Sequence, residues 1–467
     1  MANWLTRLFR NCWEVNSLSN TIAAISTPKG IGAIAIIRIS GDDSWQICQK
    51  ILVNKINVEP RKVFHNFIKD DDGAILDEIT VVFYKKPRSY TGEDMVEIMC
   101  HGGPIVSQSI LDLLLNNGAK LADPGEFTKR AFLNGKIDLT KAEAIKQIIE
   151  APSRTSVKLV ANNLSGKLSE VVKKLREMLL SVLAKIEVEF DYPDDVFTER
   201  DILLNELSGA SDFVEKLLEN AQNRLTISSG IKIVIVGKPN VGKSSLLNAL
   251  VREDRAIVTE IPGTTRDLIQ VPVTIEGISF TLIDTAGIRE SQDKVEKIGV
   301  ERAIKAASEA DLILFVLDAT TPVEEDDIKI LELIKNKRYL VVINKIDAND
   351  LIDREMLRNV LNTDIHTITI SALRKEGIEE LERQIIKSVS DIIHSTQGYI
   401  TTERQYECLL NCKFSIKNAT KDFKEGYSLD LVAQQIKDAI ANLDILLGTN
   451  YSKDLIEKIF SDFCVGK

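Results

Sequence analysis

The stretch Gly237-Lys238-Pro239-Asn240-Val241-Gly242-Lys243-Ser244 decides how most of this chain is read. It has the spacing G-x-x-x-x-G-K-[ST] and follows the β-branched run at 231–236, Ile-Lys-Ile-Val-Ile-Val. Behind it, Ser245-Leu246-Leu247-Asn248-Ala249-Leu250 has the composition of an opening helix. That context matters, because the backbone N–H groups of such a loop, at a helix N-terminus, wrap the phosphates of a nucleotide. Lys243 is expected to reach the β- and γ-phosphates, and the Ser244 hydroxyl to ligate Mg²⁺. An ordinary glycine turn would not bring both the strand and the helix.

A phosphate loop alone does not separate ATP from GTP. Asn344-Lys345-Ile346-Asp347 follows a second apolar run, 339–343, about a hundred residues beyond the loop. An aspartate at this spacing accepts hydrogen bonds from guanine N1 and N2, which adenine cannot offer. Asn344 is expected to brace the loop and the Lys345 stem to cover the base. Ser371-Ala372-Leu373, after 367–370, is similar to the element whose backbone N–H meets guanine O6. Taken alone, Asn-Lys-x-Asp is equally well a solvated turn, and its order after the phosphate loop gives it weight.

Asp284-Thr285-Ala286-Gly287 ends the run 279–283, where Asp284 can hold Mg²⁺ through water and the Gly287 N–H can contact the γ-phosphate. Between the two motifs, Gly263-Thr264-Thr265-Arg266-Asp267 reads as a switch segment with one threonine closing over Mg²⁺. The four motifs together predict a GTPase. Its nucleotide contacts are expected at Asn240, Val241, Gly242, Lys243, Ser244, Ser245, Thr259, Thr264, Thr265, Asp284, Thr285, Ala286, Gly287, Asn344, Lys345, Asp347, Ser371 and Ala372.

The residue after Gly287 is Ile288, where many small GTPases carry a glutamine that orients the attacking water. Either the chain is a slow switch, or another group supplies that contact. Here the sequence resembles the MnmE (TrmE) family of tRNA-modification GTPases. The stretches 239–248, 261–267 and 284–289 match it, but related GTPases share those. The two ends are more specific. Thr21-Ile22-Ala23-Ala24-Ile25-Ser26-Thr27-Pro28, Arg38-Ile39-Ser40-Gly41, Tyr90-Thr91-Gly92-Glu93-Asp94, His101-Gly102-Gly103 and 124–136 resemble its N-terminal domain, and Phe463-Cys464-Val465-Gly466-Lys467 its Cys-x-Gly-Lys tail.

The resemblance implies K⁺ in the place of an arginine finger, held by Asn240, Thr259, Ile261 and Thr264. A monovalent cation there neutralises charge in a loose transition state. It implies Mg²⁺ on Ser244 and Thr265, and gives the water-orienting role to Glu296, which without it reads as a solvated helix charge. Arg266 and Arg289 read as exposed switch-loop arginines. It further implies a tetrahydrofolate derivative (5-formyl or 5,10-methylene) at Arg38, Glu97, Lys136 and Lys467, with Cys464 near the one-carbon chemistry. By the same resemblance the chain is a homodimer, joins an MnmG/GidA-type flavoprotein in a heterotetramer, and acts on tRNA at C5 of the wobble uridine. Taken singly, each folate residue reads more readily as part of a surface salt bridge.

At 467 residues the chain should hold two or three domains. The expected fold class is α/β and α+β multidomain: a P-loop GTPase domain inserted into a helical domain, preceded by an α+β tetrahydrofolate-binding domain. The expected boundaries are an extension at 1–19, an α+β domain at 20–134, helical segments at 135–228 and 387–467, and the G domain at 229–386. Apolar residues at three- and four-residue steps, from Val157 to Ile186 and from Leu431 to Leu447, predict the helices. Ser228-Ser229-Gly230 reads as the hinge into the G domain. Such an insertion tolerates domain motion.

A formal charge of −10 excludes a basic wrapper of nucleic acid, so any tRNA contact needs a local patch or a partner. Six cysteines without CxxC pairing suit a reducing, cytoplasmic setting, and no run approaches the roughly 20 apolar residues of a membrane span. Residues 1–19 read as a short extension or, less simply, as a targeting presequence. The rival to a modification enzyme is a regulatory GTPase switch in ribosome or RNA assembly, which should carry a basic tail or an RNA-binding module.

Overall fold

Strand alternation builds the first sheet. The computed structural model describes residues 21–191, 200–251, 269–284, 306–348, 351–352, 367–393 and 398–467. Two compact units divide the chain, Met1–Ala142 with Leu447–Lys467, and Glu143–Leu446.

In the first unit, strands β1 (Ile22–Ile25), β2 (Ile34–Ser40), β3 (Val63–Lys69), β4 (Ile75–Tyr84), β5 (Met95–His101) and β6 (Lys120–Leu121) lie in the order β3-β4-β5-β2-β1-β6. All neighbours are antiparallel except β1 and β6. Successive side chains in a strand face opposite ways. Ala35, Ile37, Ile39, Ile79, Val81, Phe83, Val96, Ile98 and Cys100 thus fill one face, under Ile47 and Ile51 of helix Ser44–Ile51 and Ile110 and Leu114 of helix Pro104–Asn116. The residues between them, Arg38 and Glu97 among them, point to the other face.

A second cluster in this unit joins Phe132, Leu139, Ile456, Phe460 and Phe463. The tail is tied to the sheet's flank: Ser26 Oγ donates to the Gly466 carbonyl at 3.0 Å, and the Phe127 N–H to that of Lys467 at 3.2 Å.

The second sheet runs β12 (Thr367–Thr369), β11 (Tyr339–Asn344), β10 (Leu312–Asp318), β7 (Ile231–Val236), β9 (Ile278–Asp284), β8 (Ile269–Ile275). Its neighbours are parallel except β8 and β9. A parallel sheet is covered on both faces, so its strands read as unbroken apolar runs. Ile231, Ile233, Ile235, Leu312, Leu314, Val316 and Val342 face one core, with helices Lys243–Leu250 and Ile378–Ser388. Val234, Val236, Ile313, Phe315, Val341 and Ile343 face another, with helix Glu325–Ile334. Strand β7 sits between β10 and β9, the position at which doubly wound sheets open a crevice beyond their carboxyl ends.

Helices flank this sheet in the sequence on both sides. Arg200–Leu218 packs on Glu403–Glu425 and on Lys167–Asp191 through Leu203, Leu207, Ala210 and Val214. Cys408 and Cys412 are buried on helix Glu403–Glu425, and burial pushes the Cys412 thiol up to about 12. Where the chain returns from the sheet it is pinned by polar contacts. Gln147 exchanges two hydrogen bonds with Thr401, at 2.7 and 2.8 Å. Arg404 grips Glu143 with two nitrogens at 2.6 and 2.9 Å and donates to the carbonyls of Ile445 and Leu446. Among the described residues no helix is long and apolar enough to cross a membrane.

Removing one partner of such a buried pair leaves a charge uncompensated. Arg404→Met is therefore expected to cost roughly 3–5 kcal/mol of stability. Urea unfolding followed by circular dichroism measures it, and an unchanged midpoint would show that the pair does not hold the return segment.

Candidate functional site

Three loops meet beyond the carboxyl ends of β7, β11 and β12. The loop after β7 is shaped by residues in the left-handed region: Asn240 has φ +66° and Gly242 φ +95°. A Cβ on Gly242 would fall 2.2 Å from Asn344 Nδ2, and one on Gly237 2.4 Å from the Val316 carbonyl oxygen. Both positions therefore exclude a side chain. Gly242 caps the N-terminal end of helix Lys243–Leu250, and Lys243 Nζ lies on the carbonyls of Gly237 and Lys238 at 2.9 and 2.7 Å, inside the loop. Ser244 and Ser245 are exposed at the first turn, where N–H groups lack helical partners and an anion is favoured.

Asn344 ends β11 and is buried. Its Nδ2 donates to the Val241 carbonyl at 2.9 Å, and its Oδ1 accepts from the Ala372 N–H at 3.0 Å. One side chain thus fastens the phosphate loop to the loop after β12. Lys345 Nζ donates to the Asn240 carbonyl at 2.8 Å. The Ser371 hydroxyl bonds to Asp347 and holds its carboxyl below the ordinary carboxylate range, so this carboxylate is charged and oriented by the loop after β12. A side chain that sequence reasoning missed, Lys238, ties the loop outward to Asp327 and Glu324 at 2.7 and 2.8 Å. The capping box at the start of helix Glu325–Ile334 could have signalled it.

Thr259, Ile261, Thr264, Thr265, Thr285, Ala286, Gly287 and Glu296 lie outside the described residues, as do Ile288, Arg266, Arg289 and the extension 1–19. Asp284 is described as the last residue of β9 only.

A second cluster lies on the face of the first sheet opposite its two helices. Arg38 on β2 and Glu97 on β5 are register partners, with Arg38 Nε 2.8 Å from Glu97 Oε1. Tyr84 Oη donates to Glu97 Oε2 at 3.0 Å, and the Arg38 guanidinium lies 5.1 Å from the Tyr90 ring centre. Arg38 Nη1 is buried without a hydrogen-bond partner among the described residues. Lys467 joins this group: burial and then the nearby Arg38 charge lower its ammonium below the ordinary lysine value, with Glu97 and Cys464 opposing. Lys136 is directed elsewhere, to the Pro87 carbonyl at 2.9 Å. Tyr84 was missed at the sequence level, because only the β4–β5 pairing brings it to Glu97; Tyr90 stood inside a quoted motif without a role.

A parallel sheet, a glycine-shaped phosphate loop and a guanine-type Asn-Lys-x-Asp loop locked onto it define a P-loop GTPase. Residues 139–464 match the family described as MnmE helical domain, and residues 21–136 that described as GTP-binding protein TrmE N-terminus. The chain is 66% identical over 450 residues to the tRNA modification GTPase MnmE of Pseudothermotoga lettingae, covering 96% of this chain and 100% of that one. Similar proteins of the same name come from Thermotoga petrophila, at 50% identity with 96% and 100% covered, and Fervidobacterium nodosum, at 49% with 96% and 98% covered. The chain belongs to the MnmE (TrmE) family of tRNA modification GTPases.

Asp347→Asn should exchange an acceptor for a donor facing the C2 position of the base. GDP binding is expected to weaken at least about tenfold, and xanthosine diphosphate, with a carbonyl at C2, to become the preferred ligand. Titration of both nucleotides checks this, and an unaltered preference for GDP would remove Asp347 from base recognition.

Proposed function

We propose that this chain couples GTP hydrolysis to tRNA modification. It acts as a cytoplasmic homodimer with an MnmG/GidA-type flavoprotein, in a heterotetramer, to add a carboxymethylaminomethyl-type group at C5 of the wobble uridine (U34). The observation that carries the nucleotide half of this reading is the Asn344 bridge, which holds the phosphate loop and the base loop together. Family membership carries the tRNA half. The G domain, 229–386, is read as inserted into a helical domain, and G-domain dimerisation as the step that activates it.

Ser244 and Thr265 would hold Mg²⁺, and Asn240, Thr259, Ile261 and Thr264 K⁺. Asn240 is exposed on the loop, and its strained backbone supports a role that ordinary loop residues do not need. Glu296 would orient the attacking water where Ile288 cannot. Such an arrangement stabilises charge spread over the γ-phosphoryl group.

The first unit's cluster fits a tetrahydrofolate derivative. Arg38 Nη1 is a buried donor without a partner among the described residues, and a buried donor of that kind is costly unless a ligand meets it. Arg38 and Glu97 present donors and an acceptor suited to a pterin edge, and Lys467 and Lys136 would be two cations suited to an acidic tail. When bound, the folate supplies the one-carbon unit, and Cys464 stands beside the group. The flavin belongs to the partner.

GTP turnover is expected to fall at least about tenfold when NaCl replaces KCl, and likewise in Glu296→Ala. Equal rates in both salts would overturn the K⁺ assignment, and a wild-type rate in the variant that of Glu296. Arg38→Met is expected to abolish 5-formyltetrahydrofolate binding and leave GDP binding intact. Failure of the unmodified chain to bind the folate would favour a regulatory switch.

A further inference from the structure

Two non-glycine residues in the left-handed region, Asn240 at φ +66° and Lys345 at φ +67°, come from loops far apart in the chain. Each conformation costs free energy that neighbouring contacts must offset. They are joined to each other by the Lys345 Nζ bond to the Asn240 carbonyl. What holds the ammonium there is Asp318, the last residue of β10 and the register partner of Asn344. Asp318 Oδ2 lies 2.5 Å from Lys345 Nζ, and its Oδ1 accepts from the Thr320 N–H at 2.9 Å and the Thr320 hydroxyl at 2.7 Å.

The carboxylate is nearly enclosed, with its side chain 11% exposed against 37% for Lys345. Burial alone would raise its pKa, yet Lys345 and the two Thr320 donors leave it below the ordinary carboxylate range. Asp318 is thus a fixed anion, anchored by its own strand end and its own turn. Lys345 is the mobile partner, an ammonium on a flexible stem that without Asp318 would sample water and release the Asn240 carbonyl.

We propose that Asp318 is a positioning residue for guanine-nucleotide binding: it sets Lys345 on the Asn240 carbonyl, so that the base loop and the phosphate loop form one preorganised cradle. This rests on the reading of the site as a GTPase. Asp318 touches neither base nor phosphate in this role. It acts by removing the ordering that an unheld Lys345 would otherwise undergo when nucleotide binds. The same contact settles the backbone of Asn240, the residue expected to hold the monovalent cation.

The test is a double-mutant cycle on GDP affinity in the full chain, with Asp318→Asn, Lys345→Met and the two combined. Asparagine keeps the shape and the oxygen that accepts from Thr320, and replaces the charged acceptor that meets Lys345 by an amide nitrogen that can only donate. Asp318→Asn is expected to raise the GDP dissociation constant about tenfold, the scale of one charge-assisted hydrogen bond. In the Lys345→Met background the same change should have no further effect. Wild-type affinity in Asp318→Asn would overturn the proposal, and so would additive losses in the double variant, since those would place Asp318's influence elsewhere in the fold. If Asp318→Asn does not fold, Asp318→Ser carries the same cycle with the same outcomes. An unmodified chain that bound no GDP would instead sink the GTPase reading itself.

Discussion

The hydrogen bonds of Asn344 are the constraint on which the nucleotide site depends. A carboxamide has a donor and an acceptor on one rigid plane. Placed at the end of β11, it gives the donor to Val241 and takes the Ala372 N–H on the other side. Because Asn344 is buried, neither bond competes with water, and leaving either partner unmet would be costly. Gly242 follows from the same bond, since only a residue without Cβ lets the phosphate loop come so near the carboxamide. That glycine, in the left-handed region, is also the N-cap of helix Lys243–Leu250.

Behind the site, the sheet provides stiffness. Strands β7, β10 and β11 are buried on both faces by different helices, so their ends cannot shift singly. Polar side chains at those ends can therefore be short and still meet: Asp318 and Asn344 are neighbours because β10 and β11 run in parallel register. Lys238 adds an outward tie to Asp327 and Glu324. Chemistry that looks like loop chemistry is held by strand ends, which is how a doubly wound sheet keeps a crevice in one shape.

Much of this is legible in the sequence. The apolar runs at 231–236 and 339–343 could be read as strands because a two-sided burial demands unbroken hydrophobicity, and the glycines at 237 and 242 because backbone strain admits little else. Asp318 was not legible. It is one acid at the end of an apolar run, and only the lateral pairing of β10 with β11 gives it a partner. The same holds for Tyr84 and Glu97, whose meeting is a matter of register between β4 and β5. Arg404 and Glu143 are separated by most of the second unit, and no local pattern links them. Nor does the motif that holds Lys136 say where its ammonium goes: it donates to the Pro87 carbonyl, a contact set by the loop before β5.

The ties between Ser26 and Gly466, and between Phe127 and Lys467, have a consequence in time as well as in space. Ser26 and Gly466 are 440 positions apart. During synthesis the first sheet is available early, but the segment that finishes its flank emerges only after the whole second unit has been made. Loop closure over such a span is slow compared with local folding, while domains otherwise fold as they leave the ribosome. The nascent first unit therefore spends most of translation with the surface beside Arg38 and Glu97 unfinished, and the cluster they form with Lys467 is assembled late.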